Sequence, residues 1–161
     1  MSATGANRPV AIASPLGDDV LLFHRMEGRE QLGRLFEYQV DVYSEDDSID
    51  FNALLGENVT VRLYRPELGD ERYFNGFVSQ FHQGTTYEQR YATYQLTRRP
   101  WFWFLTRTSD CRIFQEQTVP DIVKQIFRDR GFSDFEERLS GSYRTREYCV
   151  QYRETDFDFI S

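Results

Sequence analysis

Alternation of apolar and polar residues dominates the first hundred positions. From Leu35 to Tyr43, Phe36, Tyr38, Val40 and Val42 fall on one side, and Glu37, Gln39 and Asp41 on the other. A period of two is what a half-buried antiparallel strand requires. The same reading predicts strands at Val10–Ser14, Val20–Met26, Val59–Arg65, Arg72–His82 and Arg90–Arg98. The breaks between them carry turn chemistry: Pro15 to Asp19, Gly28 with Gly33, Glu67 to Asp70, and Gly84-Thr85-Thr86. Asp50 is placed to cap a short helical turn, Phe51 to Leu55, that stops at Gly56. Gly76, in mid-strand, predicts a bulge or a close backbone approach. Successive strands joined by short turns predict antiparallel pairing in a sandwich or closed barrel.

The pattern changes at Pro100. Pro100 to Leu105 (PWFWFL) concentrates large rings in one segment that opens with a proline, as a first helical turn permits. Arg112–Gln115 and Tyr148–Tyr152 are short strand candidates. Between them, Val119, Ile122, Val123, Ile126 and Phe127 follow a helical stripe, with Thr118 as N-cap, Pro120 in the first turn and Gly131 as terminator. This predicts a helix over about Pro120 to Arg130 with the stripe facing a core. Thr155 and Asp158 form a capping-box pattern before Phe157, Phe159 and Ile160. That pattern reads as a helix cut about one turn in, which leaves those three apolar side chains exposed. The expected architecture is mainly β with minor α: residues 1–9 disordered, 10–99 a first barrel-like β domain, and 100–161 the start of a second, mixed α+β segment truncated at its C-terminus.

Composition narrows the function. The formal net charge is −7, and Lys124 is the single lysine beside many arginines. An acidic chain lacks the phosphate-neutralising charge that drives generic nucleic-acid binding, so no nucleic-acid partner is expected. Phe and Tyr number 14 and 10; such ring content suits strands, cores and protein interfaces. Cys111 and Cys149 are too far apart for a CxxC motif and read as reduced core residues, with a disulfide as the alternative. No signal-peptide pattern and no membrane-length apolar run is present. Cytoplasmic synthesis is expected, with any export following a route that reads no cleaved signal.

Candidate chemistry is sparse. The two histidines, His24 and His82, lie in strand candidates. The paired acids Asp46-Asp47 and Glu136-Glu137 read as solvated faces. Glu154, Asp156 and Asp158 lack the glycine and downstream glutamate of a calcium loop. No GxSxG elbow, HExxH pair or phosphate loop occurs. The expectation is no catalytic residue, no cofactor and no metal. Trp101 and Trp103 offer an alternative function, stacking on sugars in a carbohydrate- or peptidoglycan-binding module; burial of their rings would argue for core or interface instead.

Four segments in order resemble the VgrG family of type VI secretion spike proteins. They are LLFHRMEGREQLGRLFEYQVDVYS, RYFNGFVSQF, RPWFWFLTRTSDCRIFQEQTVPDIVKQIF and REYCVQYRETDFDFIS. Arg98 departs from that pattern, since an apolar residue is expected there, and this weakens the expectation that the strand end is buried. The resemblance implies a contractile phage tail hub fused to a puncturing spike. It implies barrel-like domains forming a homotrimer that sits on the hexameric tube of Hcp. Effector or adaptor proteins are the implied cargo, and the target membrane is met only through a spike tip beyond this sequence. The resemblance carries no active site with it.

Overall fold

The computed structural model describes residues 8–88 and 90–161, so seven of the nine residues expected to be disordered lie outside the described residues. Arg8 and Pro9 are described, and the Pro9 carbonyl accepts a 2.7 Å hydrogen bond from the Tyr64 amide. Two compact units divide at Pro100 and Trp101.

The first unit is a six-stranded antiparallel sheet. Its strands are β1 (Val10–Ala13), β2 (Leu22–Arg29), β3 (Glu37–Ser44), β4 (Asn58–Arg65), β5 (Asp70–Tyr87) and β6 (Tyr91–Arg99). They run in the order β1-β4-β5-β6-β3-β2. The edge strands β1 and β2 are not hydrogen-bonded to each other, yet they lie close together. The sheet therefore curls almost to closure, which hides edges that would otherwise be open to pairing. Inside the curl, Val40, Val42, Val59, Val61, Val78, Phe81, Tyr94 and Leu96 are buried, with Leu54 beneath them from the loop that precedes β4. The alternation predicted for β3 holds at Tyr38, Val40 and Val42, and Ser44 continues it.

Two turn expectations fail in informative ways. β2 does not break at Gly28 but runs on to Arg29. The Tyr38 ring on β3 fills the space above Gly28, where a Cβ would lie 2.8 Å from Tyr38 Cδ1. Glycine here admits a ring and does not mark a turn. Likewise Gly84-Thr85-Thr86 is strand, because β5 continues to Tyr87 with an irregularity in register between Gln83 and Thr86. The Thr93 hydroxyl donates to the Thr85 carbonyl at 2.6 Å and holds this stretch against β6. The chain reverses beyond it, where Glu88 takes a positive φ of 50°. Gly76 makes the close approach expected of it: a Cβ there would meet the Arg99 carbonyl at 3.2 Å and the Phe36 ring at 3.3 Å.

The second unit opens with a 3-10 helix, Trp101–Arg107, followed by β7 (Ser109–Gln117), α1 (Val119–Asp129), β8 (Arg146–Thr155) and α2 (Asp156–Ile160). β7 and β8 pair antiparallel as a two-stranded ribbon. Both exceed the short segments that periodicity predicted. Thr118 caps α1, its hydroxyl oxygen accepting from the Asp121 amide at 3.3 Å. Ile122 and Ile126 are buried, whereas Val119, expected on the core stripe, is exposed at the first turn. The core joins Leu105, Phe114, Ile122 and Ile126, and Phe157, Phe159 and Ile160 pack against it. The exposure expected for those last three is thus corrected: α2, though one turn long, folds back onto its own unit. Its cap forms as predicted, the Asp158 amide donating to the Thr155 hydroxyl at 3.0 Å.

Candidate interaction surfaces

His24 on β2 and His82 on β5 lie on the same side of the sheet, with β3 and β6 between them. Both are exposed and line an open groove of about 400 Å³ on the outer face of the curled sheet, with Asp41, Tyr43, Thr93 and Gln95. Register produces this row, because Asp41 lies opposite Gln95 on β6 and Gln95 opposite His82 on β5. The groove is not arranged for acid–base chemistry. Asp41 accepts from the Gln95 amide at 2.8 Å, and the Thr93 hydroxyl is committed to a carbonyl. The His24 ring rests on Tyr43 at 4.6 Å between centroids. A nucleophile aligned with a base is what such a site needs, and neither imidazole makes a hydrogen bond among the described residues. Among the same residues no group of three His, Cys, Asp or Glu side chains is arranged to hold a metal ion.

Three of the four paired acids are engaged through their carboxylates. Glu137 bonds Lys124 at 3.0 Å, Glu136 bonds Arg138 at 2.7 Å, and Asp46 accepts from Ser48 at 2.8 Å. Hydrogen bonds from the Ser48 amide and hydroxyl hold the Asp46 carboxyl below its ordinary range. Trp101 and Trp103 are half-buried. Trp101 meets Phe102 and Phe127 edge-on and stacks on Phe132 at 4.6 Å. Trp103 packs against Phe104 and under Arg107. Trp101 packs against the core of its unit. The cysteine expectation is corrected in part: both thiols are free, Cys149 packs at the core, but Cys111 is exposed.

Two buried charges hold the units in shape. Asp156, with no exposed surface, accepts from Arg112 at 2.5 Å, Arg130 at 2.7 Å, Gln151 at 2.8 Å and Thr108 at 3.0 Å. One carboxylate thus ties together β7, the end of α1, β8 and the start of α2. Burial pushes its pKa up, but the bonds from Gln151, Arg130 and Thr108 and the charge of Arg112 outweigh this and hold it below the usual carboxylate range. Sequence reasoning saw Asp156 only as one of several acids near a cap. Its mates lie 5 to 48 positions away, beyond any local motif.

Arg98 corrects the other expectation, since it is fully buried. Its guanidinium donates to the carbonyls of Val59 at 3.0 Å and Phe74 at 3.1 Å, contacts Met26 Sδ at 3.3 Å and lies 5.6 Å from the Tyr38 ring centre. Carbonyl oxygens and an aromatic face solvate this cation. Burial lowers its pKa to about 10, opposed by the neighbouring Tyr38. The Tyr38 hydroxyl, itself raised to about 12 by burial and then by its hydrogen bond to Glu30, completes the cluster.

Two outward surfaces remain without cover. On the ribbon, the outward positions are Cys111, Ile113, Gln115 and Gln117 of β7 and Arg146, Tyr148, Val150 and Tyr152 of β8. Ile113 and Tyr148 are 66% exposed and Tyr152 63%. An open recess of about 630 Å³ adjoins this face, lined by Val119, Tyr143, Arg144, Arg146, Glu147 and Tyr148. On the curled sheet, Tyr43 stacks on Tyr87 at 5.0 Å with Tyr91 at 6.2 Å; Glu88 bonds to Tyr87, and Glu45 is ion-paired to Arg90, whose guanidinium lies 5.0 Å from the Tyr91 ring centre.

Comparison with known proteins bears on both units. The family model described as the phage tail baseplate hub (GPD) matches residues 29–161. The chain is 56% identical over 154 residues to the type VI secretion system spike protein VgrG1c of Pseudomonas aeruginosa, covering 96% of this chain and 21% of that protein. It is 54% identical over 161 residues to VgrG1b of the same organism, covering 100% of this chain and 22% of that protein. The chain therefore spans about a fifth of the length of these curated relatives. The E. coli c3393 protein, a type VI secretion component with structural similarity to the T4 tail proteins gp27 and gp5, superposes with a TM-score of 0.72 at 27% identity. That match covers 95% of this chain and 41% of the c3393 chain.

Proposed function

Because the chain belongs to the phage tail baseplate hub family and is similar throughout to VgrG spike proteins, we propose that it forms hub domains of a type VI secretion spike. Its role in that reading is structural. Three copies assemble about an axis, and the ring so formed docks on the hexameric Hcp tube. A spike elsewhere in the full-length protein then meets the target membrane, and effector or adaptor proteins travel with it. The observation that carries this reading is the match to the hub model over residues 29–161, which spans the curled sheet and the ribbon alike.

The physical character of the chain supports a mechanical role. A nearly closed sheet protects its own edges, and a carboxylate held by four donors resists shear between the elements it joins. Export then follows from assembly on the tube. No helix of the described residues is long and apolar enough to cross a membrane.

Tube docking is tested by co-sedimentation. A full-length protein carrying this chain is mixed with assembled Hcp rings and pelleted, with the ring alone as control. The reading expects the chain to enter the pellet in a ratio of three copies per ring hexamer. A chain that stays in the supernatant at saturating ring concentration contradicts it.

A further inference from the structure

Resting on the tube-docking reading above, we infer that the β2–β3 loop, Glu30 to Phe36, is the point at which each copy engages the tube ring, and that the ring meets it with carboxylates around an apolar hollow. Leu32, at the tip of this loop, is fully exposed at 102%, whereas no other large apolar side chain of the described residues exceeds 66%. Its position is fixed by the backbone. The Arg34 amide donates to the Gln31 carbonyl at 3.1 Å and closes a turn over Leu32 and Gly33, with Gly33 at a φ of 70°. Glycine takes that value at no steric cost. Both sides of the turn are pinned: Glu30 bonds to the Tyr38 hydroxyl and pairs with Arg72 at 3.4 Å, and Phe36 stacks on Tyr38 at 4.6 Å. An anchor presented in advance loses little freedom on binding.

The acids along this loop are already paired. Glu27 bonds to Arg25, Glu30 to Arg72, and Glu37 to Arg99 at 2.5 Å. Arg29 stands opposite Glu37 in register, yet neither it nor Arg34 forms a salt bridge among the described residues. These two cations line an open recess of about 440 Å³ beside the turn, with Gln31, Leu35 and Glu37. A complementary surface therefore offers carboxylates to Arg29 and Arg34 and an apolar hollow to Leu32. Two such loops facing each other would oppose their arginines, which disfavours a second copy as the occupant. Geometry favours the ring. Antiparallel order sets this loop and the β4–β5 turn at one end of the curled sheet. A curled sheet stacked on a ring meets it through the turns at its end and not through its faces. Three loops about a threefold axis then address every second subunit of the hexamer.

The test is co-sedimentation of a full-length protein carrying this chain with assembled Hcp rings, titrated to give an affinity. Leu32→Asp removes the apolar tip at a fully exposed position, so its thermal melt should match that of the parent. Its affinity for the ring should fall by about tenfold or more. Arg29→Glu with Arg34→Glu should cause a similar loss. Raising the ionic strength should weaken the parent and leave that double variant unaffected. The control is Leu68→Asp in the β4–β5 turn, at the same end of the sheet. Leu68 is 63% exposed, but the neighbouring Arg65 is already paired with Asp70 at 2.5 Å. This control should bind within about twofold of the parent. A parent that binds while Leu32→Asp binds equally well overturns the inference, and so does an equal loss in Leu32→Asp and Leu68→Asp. A parent that fails to bind the ring at all defeats the reading on which the inference rests.

Discussion

Asp156 and Arg98 are both fully buried and charged, yet they are stabilised in different ways. Asp156 has two guanidinium partners at 2.5 and 2.7 Å, so removing its charge leaves these partly buried cations with only the longer contacts to Asp110 at 3.5 and 3.6 Å and to Asp129 at 3.7 Å. Asp156→Asn should cost about 3–5 kcal/mol in denaturant unfolding, the usual penalty for breaking a buried pair. Its depressed pKa also sets a pH dependence. The group's contribution is fully present above the ordinary carboxylate value of about 3.9 and is lost as pH falls through the lower, folded value. The acid limb of the stability curve should therefore flatten in Asp156→Asn; an unchanged limb would show that another group carries it. Arg98 has carbonyls and a ring about it and makes no salt bridge among the described residues. Arg98→Ala, which leaves a cavity and two carbonyls without a donor, should cost about 3 kcal/mol. Arg98→Met, which refills the space with an apolar chain, should cost less than half of that. Equal losses in the two variants would mean that the charge itself is required.

At the scale of elements, α1 is the clearest case of sequence dictating structure. Ile126 is completely buried, so Ile126→Ala should cost about 2–5 kcal/mol. Thr118→Ala, which removes the cap, should cost about 1 kcal/mol. Both are read from urea melts, and a cap variant as damaging as the core variant would misplace the weight. The helix was legible because its stripe, cap and terminating glycine all lie within one short stretch. β3 was legible for a similar reason, its period of two being uninterrupted. What local pattern hid was decided by partners elsewhere in the chain. Gly28 reads as a break until the Tyr38 ring is seen above it. Gly84 reads as a turn until Thr93 is seen beside Thr85. Arg98 reads as an exposed strand end until the carbonyls of Val59 and Phe74 are found around its guanidinium. The groove joining His24 to His82 was equally invisible, since register across four strands creates it.

At the scale of the whole molecule, two outward surfaces stand exposed, one on each unit. The ribbon sets Ile113, Val150, Tyr148 and Tyr152 beside Arg146 and Glu147, and the sheet sets Tyr43, Tyr87 and Tyr91 beside Glu45, Glu88 and Arg90. The account therefore rests on oligomerisation. Its most direct test is the absolute mass in solution of a full-length protein carrying this chain, measured by light scattering coupled to size exclusion. The hub reading predicts a single species of three times the chain mass that persists on dilution; a species of one chain mass across the same range contradicts it.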